Sequence, residues 1–181
     1  MKKILFSLMV MVCIACGNNT KEDTTVTASE VIEDKTAVVS PGEGPIPTVD
    51  YDGLEPYLTK DNDSTYVVNF WATWCKPCIK EMPYFERIQA EYAKEKVQVV
   101  FVSLDFPDKL NTQVIPFIEK NNIQSKVILL DDSDANSWIP KVSQEWSGAI
   151  PATVIYKGKE RKFYERSFSY EELKKEVTSI L

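Results

Sequence analysis

The run Val68-Asn69-Phe70-Trp71-Ala72-Thr73-Trp74-Cys75-Lys76-Pro77-Cys78 constrains this chain most, because its cysteine pair falls where an apolar, β-prone stretch passes into a helical pattern. A sulfur at a helix N-terminus faces unpaired N–H groups and the positive end of the helix dipole, which lower its pKa and favour the attacking thiolate. Cys75 takes that place. Cys78 lies one turn further on, close enough to close an intramolecular disulfide once Cys75 has attacked a partner. The pair therefore reads as nucleophile and resolver. Lys76 and Pro77, between them, tune the balance of thiolate against disulfide, and a positive neighbour lowers the thiol pKa.

Other uses of a Cys-x-x-Cys pair fit less well. A zinc site needs two further thiolate or imidazole ligands. The chain contains no histidine, and its other cysteines, Cys13 and Cys16, fall in the N-terminal leader. No metal site is expected. Haem attachment requires histidine at position 79, where Ile79 stands. A peroxide-reducing cysteine of the peroxiredoxin type calls for a threonine three residues earlier, and Ala72 and Cys75 hold those places for Cys75 and Cys78.

The first sixteen residues read as a secretory leader: Lys2-Lys3 precede an apolar run from Ile4 to Ala15 that is too short to span a bilayer. Ala15-Cys16-Gly17 resembles the lipobox of bacterial lipoproteins, with Cys13 where leucine is usual; cleavage before Cys16 would acylate that sulfur and discard Cys13. An uncleaved membrane anchor is the other reading. Residues 17–47 are rich in Thr, Glu, Asp, Ser, Pro and Gly and read as a disordered tether. Such a tether spans roughly 30 Å on average, enough to hold a domain clear of a membrane surface. Removal of Lys2 and Lys3 takes the net charge from −6 to −8, which argues against nucleic acid as a partner.

Residues 48–181 are the size of one domain. The pattern predicts a short helix over Asp50–Leu58, strands at Tyr66–Trp71, Val97–Ser103 and Val127–Leu130, and helices from the cysteines to Tyr92, over Leu110–Asn121 around Pro116, and over Ala135–Trp146 with a bend at Pro140. Cys78, Met82, Phe85, Ile88 or Gln89, and Tyr92 mark the buried face of the first long helix, which Pro83 should kink. A hairpin follows, with strands at Ala152–Tyr156 and Arg161–Glu165 joined through Lys157-Gly158-Lys159-Glu160, then a final helix opened by a Ser169/Glu172 capping box. Strands alternating with helices predict an α/β sandwich, its sheet mostly parallel and ending in an antiparallel hairpin.

Three local patterns resemble the thioredoxin superfamily, and more closely its secreted branch, the TlpA- and ResA-like thiol-disulfide oxidoreductases of bacterial envelopes. They are Val68 through Cys78, Lys80-Glu81-Met82-Pro83, and Gly148-Ala149-Ile150-Pro151-Ala152-Thr153. The resemblance implies a thioredoxin-like three-layer sandwich with a central sheet. It implies a cis Pro151 that leaves the peptide of Ile150 free to pair with substrate beside Cys75, and Trp74 as a partly exposed substrate contact. Trp71, Trp138 and Trp146 are expected to pack. Plain thioredoxin has an aspartate where this chain has Asn69, and Glu81 is similar to the branch's replacement, the group that takes the proton of Cys78.

The activity implied is reduction of disulfides in exported proteins without a cofactor, recharged by a membrane thiol-disulfide electron donor, with cytochrome c maturation as one family task. The implied location is the bacterial cell envelope, lipid-anchored, with the domain in the periplasm or on the outer surface. Two other readings stand: an oxidant or isomerase with the same parts, and a surface-anchored binding module in which the disulfide is a fixed staple. Cys16→Ser is expected to abolish lipid labelling of the mature protein, checked by metabolic labelling with a fatty acid; persistent label would exclude Cys16 as the anchor.

Overall fold

The computed structural model describes residues 46–181. The leader, Cys16 and the tether up to residue 45 lie outside the described residues. Ile46 and Pro47, which composition groups with the tether, already touch the domain: Ile46 packs on the core, and the Pro47 carbonyl accepts the Leu129 N–H at 2.9 Å.

In chain order the elements are β1 (Thr48–Val49), α1 (Tyr51–Leu54), β2 (Thr65–Trp71), α2 (Lys76–Glu91), β3 (Val97–Ser103), α3 (Ile115–Lys120), β4 (Lys126–Leu130), α4 (Ala135–Val142), β5 (Ala152–Lys157), β6 (Glu160–Tyr164) and α5 (Tyr170–Thr178). The sheet runs β1-β4-β3-β2-β5-β6. The first four strands in that order are parallel, and β5 and β6 join antiparallel. Trp71 pairs with Ser103 and Phe70 with Ala152, so the end of β2 emerges between the end of β3 and the start of β5.

All of β2 is buried, and the alternation of a strand sends its side chains to two separate cores. Val67 and Trp71, with Phe101 and Leu129 of neighbouring strands, meet Met82, Phe85 and Ile88 of α2 and Leu173 and Val177 of α5. Val68 and Phe70, with Val100, Val102 and Ile128, meet Tyr51 and Leu54 of α1 and Trp138 and Val142 of α4. The result is the three-layer sandwich expected from the alternating pattern, with a parallel part and a terminal hairpin.

Helix α2 is continuous across Pro83, and its buried face is Cys78, Glu81, Met82, Phe85 and Ile88. Tyr92 caps it, half-buried, while Gln89 accepts the Val99 N–H at 2.6 Å. The hairpin turns at Gly158, whose φ of +55° is the left-handed conformation that glycine adopts without strain. The Ser169/Glu172 capping box is present at the start of α5.

Three elements depart from the pattern. Helix α4 stops at Val142, not Trp146, because Ser143 turns extended and Trp146 folds back against Phe70 and Trp138. The stretch before α3 is a π-helical turn over Leu110–Val114: Pro116 has no N–H to return to Thr112, and the Ile115 N–H reaches back five residues to the Leu110 carbonyl. Strand β1 is too short to show a period. Among the described residues, no helix is long and apolar enough to cross a membrane.

Phe85 is fully buried and meets Phe101 and Phe168 edge-on, with ring centroids 5.9 and 6.5 Å away. Phe85→Ala is expected to cost about 3–5 kcal/mol, read as a lowered urea midpoint at unchanged slope. A loss below about 1 kcal/mol would contradict this packing of α2.

Candidate active site

Cys75 is the N-cap of α2, with the extended backbone a cap requires (φ −86°, ψ 94°). Its sulfur accepts the N–H of Cys78 at 3.3 Å, a backbone donor that also favours a thiolate there once the pair is reduced. Lys76 and Pro77 form the first turn, where a proline's missing N–H costs nothing, and both are exposed. Cys75 and Cys78 are joined as a disulfide with Cα atoms 5.3 Å apart. Cys75 keeps 5% of its surface exposed and Cys78 none, so the outer sulfur is the one a partner can reach.

The Ile150–Pro151 peptide is cis, as the Gly148–Thr153 pattern suggested. It stands against the cysteines: the Ile150 carbonyl oxygen lies 3.8 Å from Cys75 Sγ. Trp74 is 64% exposed at the rim. Next to it, Asp105 accepts both the Thr73 N–H at 2.9 Å and the Thr73 hydroxyl at 2.6 Å, tying the cysteine loop to the end of β3. Trp71 is fully buried against Phe101 and Phe117, and the indole N–H groups of Trp138 and Trp146 donate to the carbonyls of Asp132 and Ala149.

Glu81 sits one turn beyond Cys78 on the same face of α2 and is 1% exposed. Neither Lys76 nor Lys80 pairs with it; instead Phe168 donates its N–H to Oε2 at 2.7 Å and Asn69 donates to Oε1 at 3.2 Å. Burial pushes its carboxyl up from an ordinary 4.5 to about 7, against the opposing pull of those two donors and of Arg166. Asn69 also donates to Thr153 Oγ1 at 3.1 Å, its register partner across β2 and β5, and its own Oδ1 has no partner among the described residues.

The structure thus brings Cys75, Cys78, Glu81, Ile150 and Pro151 together, with Trp74, Lys76 and Pro77 around them, while Cys16 lies outside the described residues. Sequence reasoning missed Asp105, Thr153 and Phe168. A polar residue inside an apolar strand was a usable signal for Thr153, and a buried acid just past β3 for Asp105. The Phe168 contribution is a backbone N–H and leaves no trace in residue type.

The family model described as AhpC/TSA matches residues 49–161. The chain belongs to this family. A thiol-disulfide oxidoreductase ResA from Geobacillus thermodenitrificans is 30% identical over 134 residues, which cover 72% of this chain and 71% of the relative. Another ResA, from Geobacillus kaustophilus, is 26% identical over 151 residues, 81% of each chain. A thiol:disulfide interchange protein of the thioredoxin family from Chlorobium tepidum superposes with a TM-score of 0.55 at 19% identity, covering 76% of this chain and 97% of that one, which shows the shared fold. This AhpC/TSA-family chain is a thiol-disulfide oxidoreductase with its redox-active pair at Cys75 and Cys78.

The raised pKa of Glu81 makes the stability of the fold depend on pH. Below pH 4.5 the carboxyl is protonated folded and unfolded; between about 4.5 and 7 the folded chain holds a proton that the unfolded chain has released, so stability falls as pH rises; above about 7 the penalty is constant. The fall is about 3 kcal/mol. Urea unfolding of the oxidised protein and of Glu81→Gln across pH 4–8 checks this: the variant is expected to lose that slope, and parallel curves would place the Glu81 carboxyl at an ordinary value.

Proposed function

We propose that this protein is carried outside the cytoplasm on a lipid anchor at Cys16 and reduces disulfides of exported proteins. The leader-like first sixteen residues and the tether-like composition of residues 17–47 support the location. The observation that carries the chemistry is a buried carboxyl, Glu81, one turn behind a helix-capping disulfide whose outer sulfur faces a cis-proline loop.

The Cys75 thiolate attacks one sulfur of the substrate disulfide, forming a mixed disulfide and releasing the other sulfur as a thiolate. Cys78 then loses its proton to Glu81, whose pKa of about 7 lets it accept that proton at neutral pH. The Cys78 thiolate attacks Cys75 Sγ, expels the second substrate sulfur and leaves the Cys75–Cys78 disulfide. Two electrons from a membrane dithiol donor restore the pair. The peptide of Ile150 aligns the substrate backbone and Trp74 covers it. Lys76 and Pro77 set the balance between the two redox states. The resemblance to the ResA-like branch supports apocytochromes c among the clients.

Reduction potential is the measurement that decides direction. Equilibration with graded dithiothreitol or glutathione is expected to give a value near or below the roughly −270 mV of thioredoxin, whereas one approaching about −120 mV would make the protein an oxidant. Cys75→Ser is expected to eliminate turnover. Glu81→Gln is expected to slow resolution of the mixed disulfide more than its formation, followed by rapid quench; equal slowing of both steps, or of neither, removes Glu81 from the mechanism.

A further inference from the structure

The loop that faces Cys75 is held by a residue no active-site pattern includes. Glu165 follows the last residue of β6, Tyr164, which pairs with Thr153 just beyond the cis-proline. Its carboxylate accepts three hydrogen bonds from that loop: the Ser147 N–H at 3.1 Å, the Ala149 N–H at 2.9 Å and the Ser147 hydroxyl. From the other side, the Trp146 indole donates to the Ala149 carbonyl at 2.8 Å. Between these contacts Gly148 takes a φ of +95°, which a side chain would strain.

Ala149 thus has both backbone groups engaged, and Ser147 its N–H. Among the described residues, the N–H and carbonyl of the next residue, Ile150, take no part in holding the loop, and that carbonyl is the one 3.8 Å from Cys75 Sγ.

We propose that Glu165 is a positioning residue for the redox reaction: its carboxylate fixes Ser147–Ala149 so that the peptide of Ile150 is presented to an extended substrate backbone beside Cys75. This rests on the oxidoreductase reading above.

The chemistry demands a carboxylate. Three donors converge on one group, and only an acceptor-only side chain satisfies them all; an amide would turn its NH2 toward one of the N–H groups. The Ser147 hydroxyl, then the two N–H groups, hold the carboxyl below its usual range, so it is ionised at neutral pH. These hydrogen bonds are exposed, and exposed hydrogen bonds contribute little to global stability. Their effect is on the conformation of the loop. An extended polypeptide pairs with the backbone of such a loop by strand-like hydrogen bonds, which a small aromatic disulfide lacks the backbone to make.

The test compares two substrates in single-turnover reactions of the full-length protein and its Glu165→Gln variant, each reduced beforehand and freed of excess reductant so that the Cys75/Cys78 dithiol supplies the two electrons. One is an extended peptide carrying a glutathione mixed disulfide; the other is dithionitrobenzoate. For the peptide, the second-order rate constant for its reduction is expected to fall about tenfold, which corresponds to ~1.4 kcal/mol. For dithionitrobenzoate it is expected to change less than about threefold, the net weight of one weak hydrogen bond. Ser147→Ala, which removes one donor and keeps the acid, is expected to move the peptide value the same way by less, and it carries the test if Glu165→Gln fails to fold. Equal losses on both substrates, or no loss on the peptide, overturn the proposal. If the unaltered protein reduces neither substrate, the reductase reading fails first and this proposal falls with it.

Discussion

Burial of β2 on both faces is the constraint on which the rest depends. A strand with no solvent side needs a helical layer above and below and a partner strand at each edge, so the seven residues Thr65–Trp71 dictate a three-layer architecture before any other element is considered. They also decide where chemistry can occur. The strand must leave the core at its C-terminal end, and what emerges there is the loop that carries Cys75 onto the first turn of α2. Ser103 and Ala152 flank that exit, which is why the β3 end supplies Asp105 and the β5 start supplies the cis-proline.

The same burial explains the acid. Asn69 lies mid-strand and points into the layer under α2, so a carboxyl at position 81 meets a neutral amide instead of water. An aspartate at 69 would have placed a second negative charge within hydrogen-bonding reach and driven one of the two to protonate outright. The amide avoids that contest. It also serves either state of its neighbour, since its NH2 donates to an ionised carboxylate and its oxygen, turned by rotation of the group, accepts from a protonated one.

Much of this was legible in the residues. The strand at 97–103, the buried face of α2, the hairpin and the capping box follow from period and turn chemistry, and Cys75 with Cys78 declared the site. What was not legible depends on distant or non-side-chain partners. The environment of Glu81 is made by Asn69 on another element and by the backbone of Phe168, 87 residues away, and neither composition nor spacing encodes that encounter. Helix α4 ends short of Trp146, which in sequence continues the helix face; its ring instead fills the gap between Phe70, Trp138 and Phe163, and the helix stops at Val142. A helical stretch over Leu110–Asn121 around Pro116 was legible, but the π-turn ahead of α3 was not, because it depends on the Ile115 N–H reaching the Leu110 carbonyl.

The connector between β6 and α5 is short, and its two ends do different things: Glu165 grips the cis-proline loop while Phe168 reaches Glu81. Surface connections of this kind usually absorb insertions without harm. Here the chain length between residues 165 and 168 acts as a ruler, setting the distance from the loop over Cys75 to the acid under Cys78. The Gly158 turn at the opposite end of the sheet measures nothing of the sort. A tag or fused domain therefore belongs at 158–159, where the molecule has slack, and not just upstream of α5, where it has none.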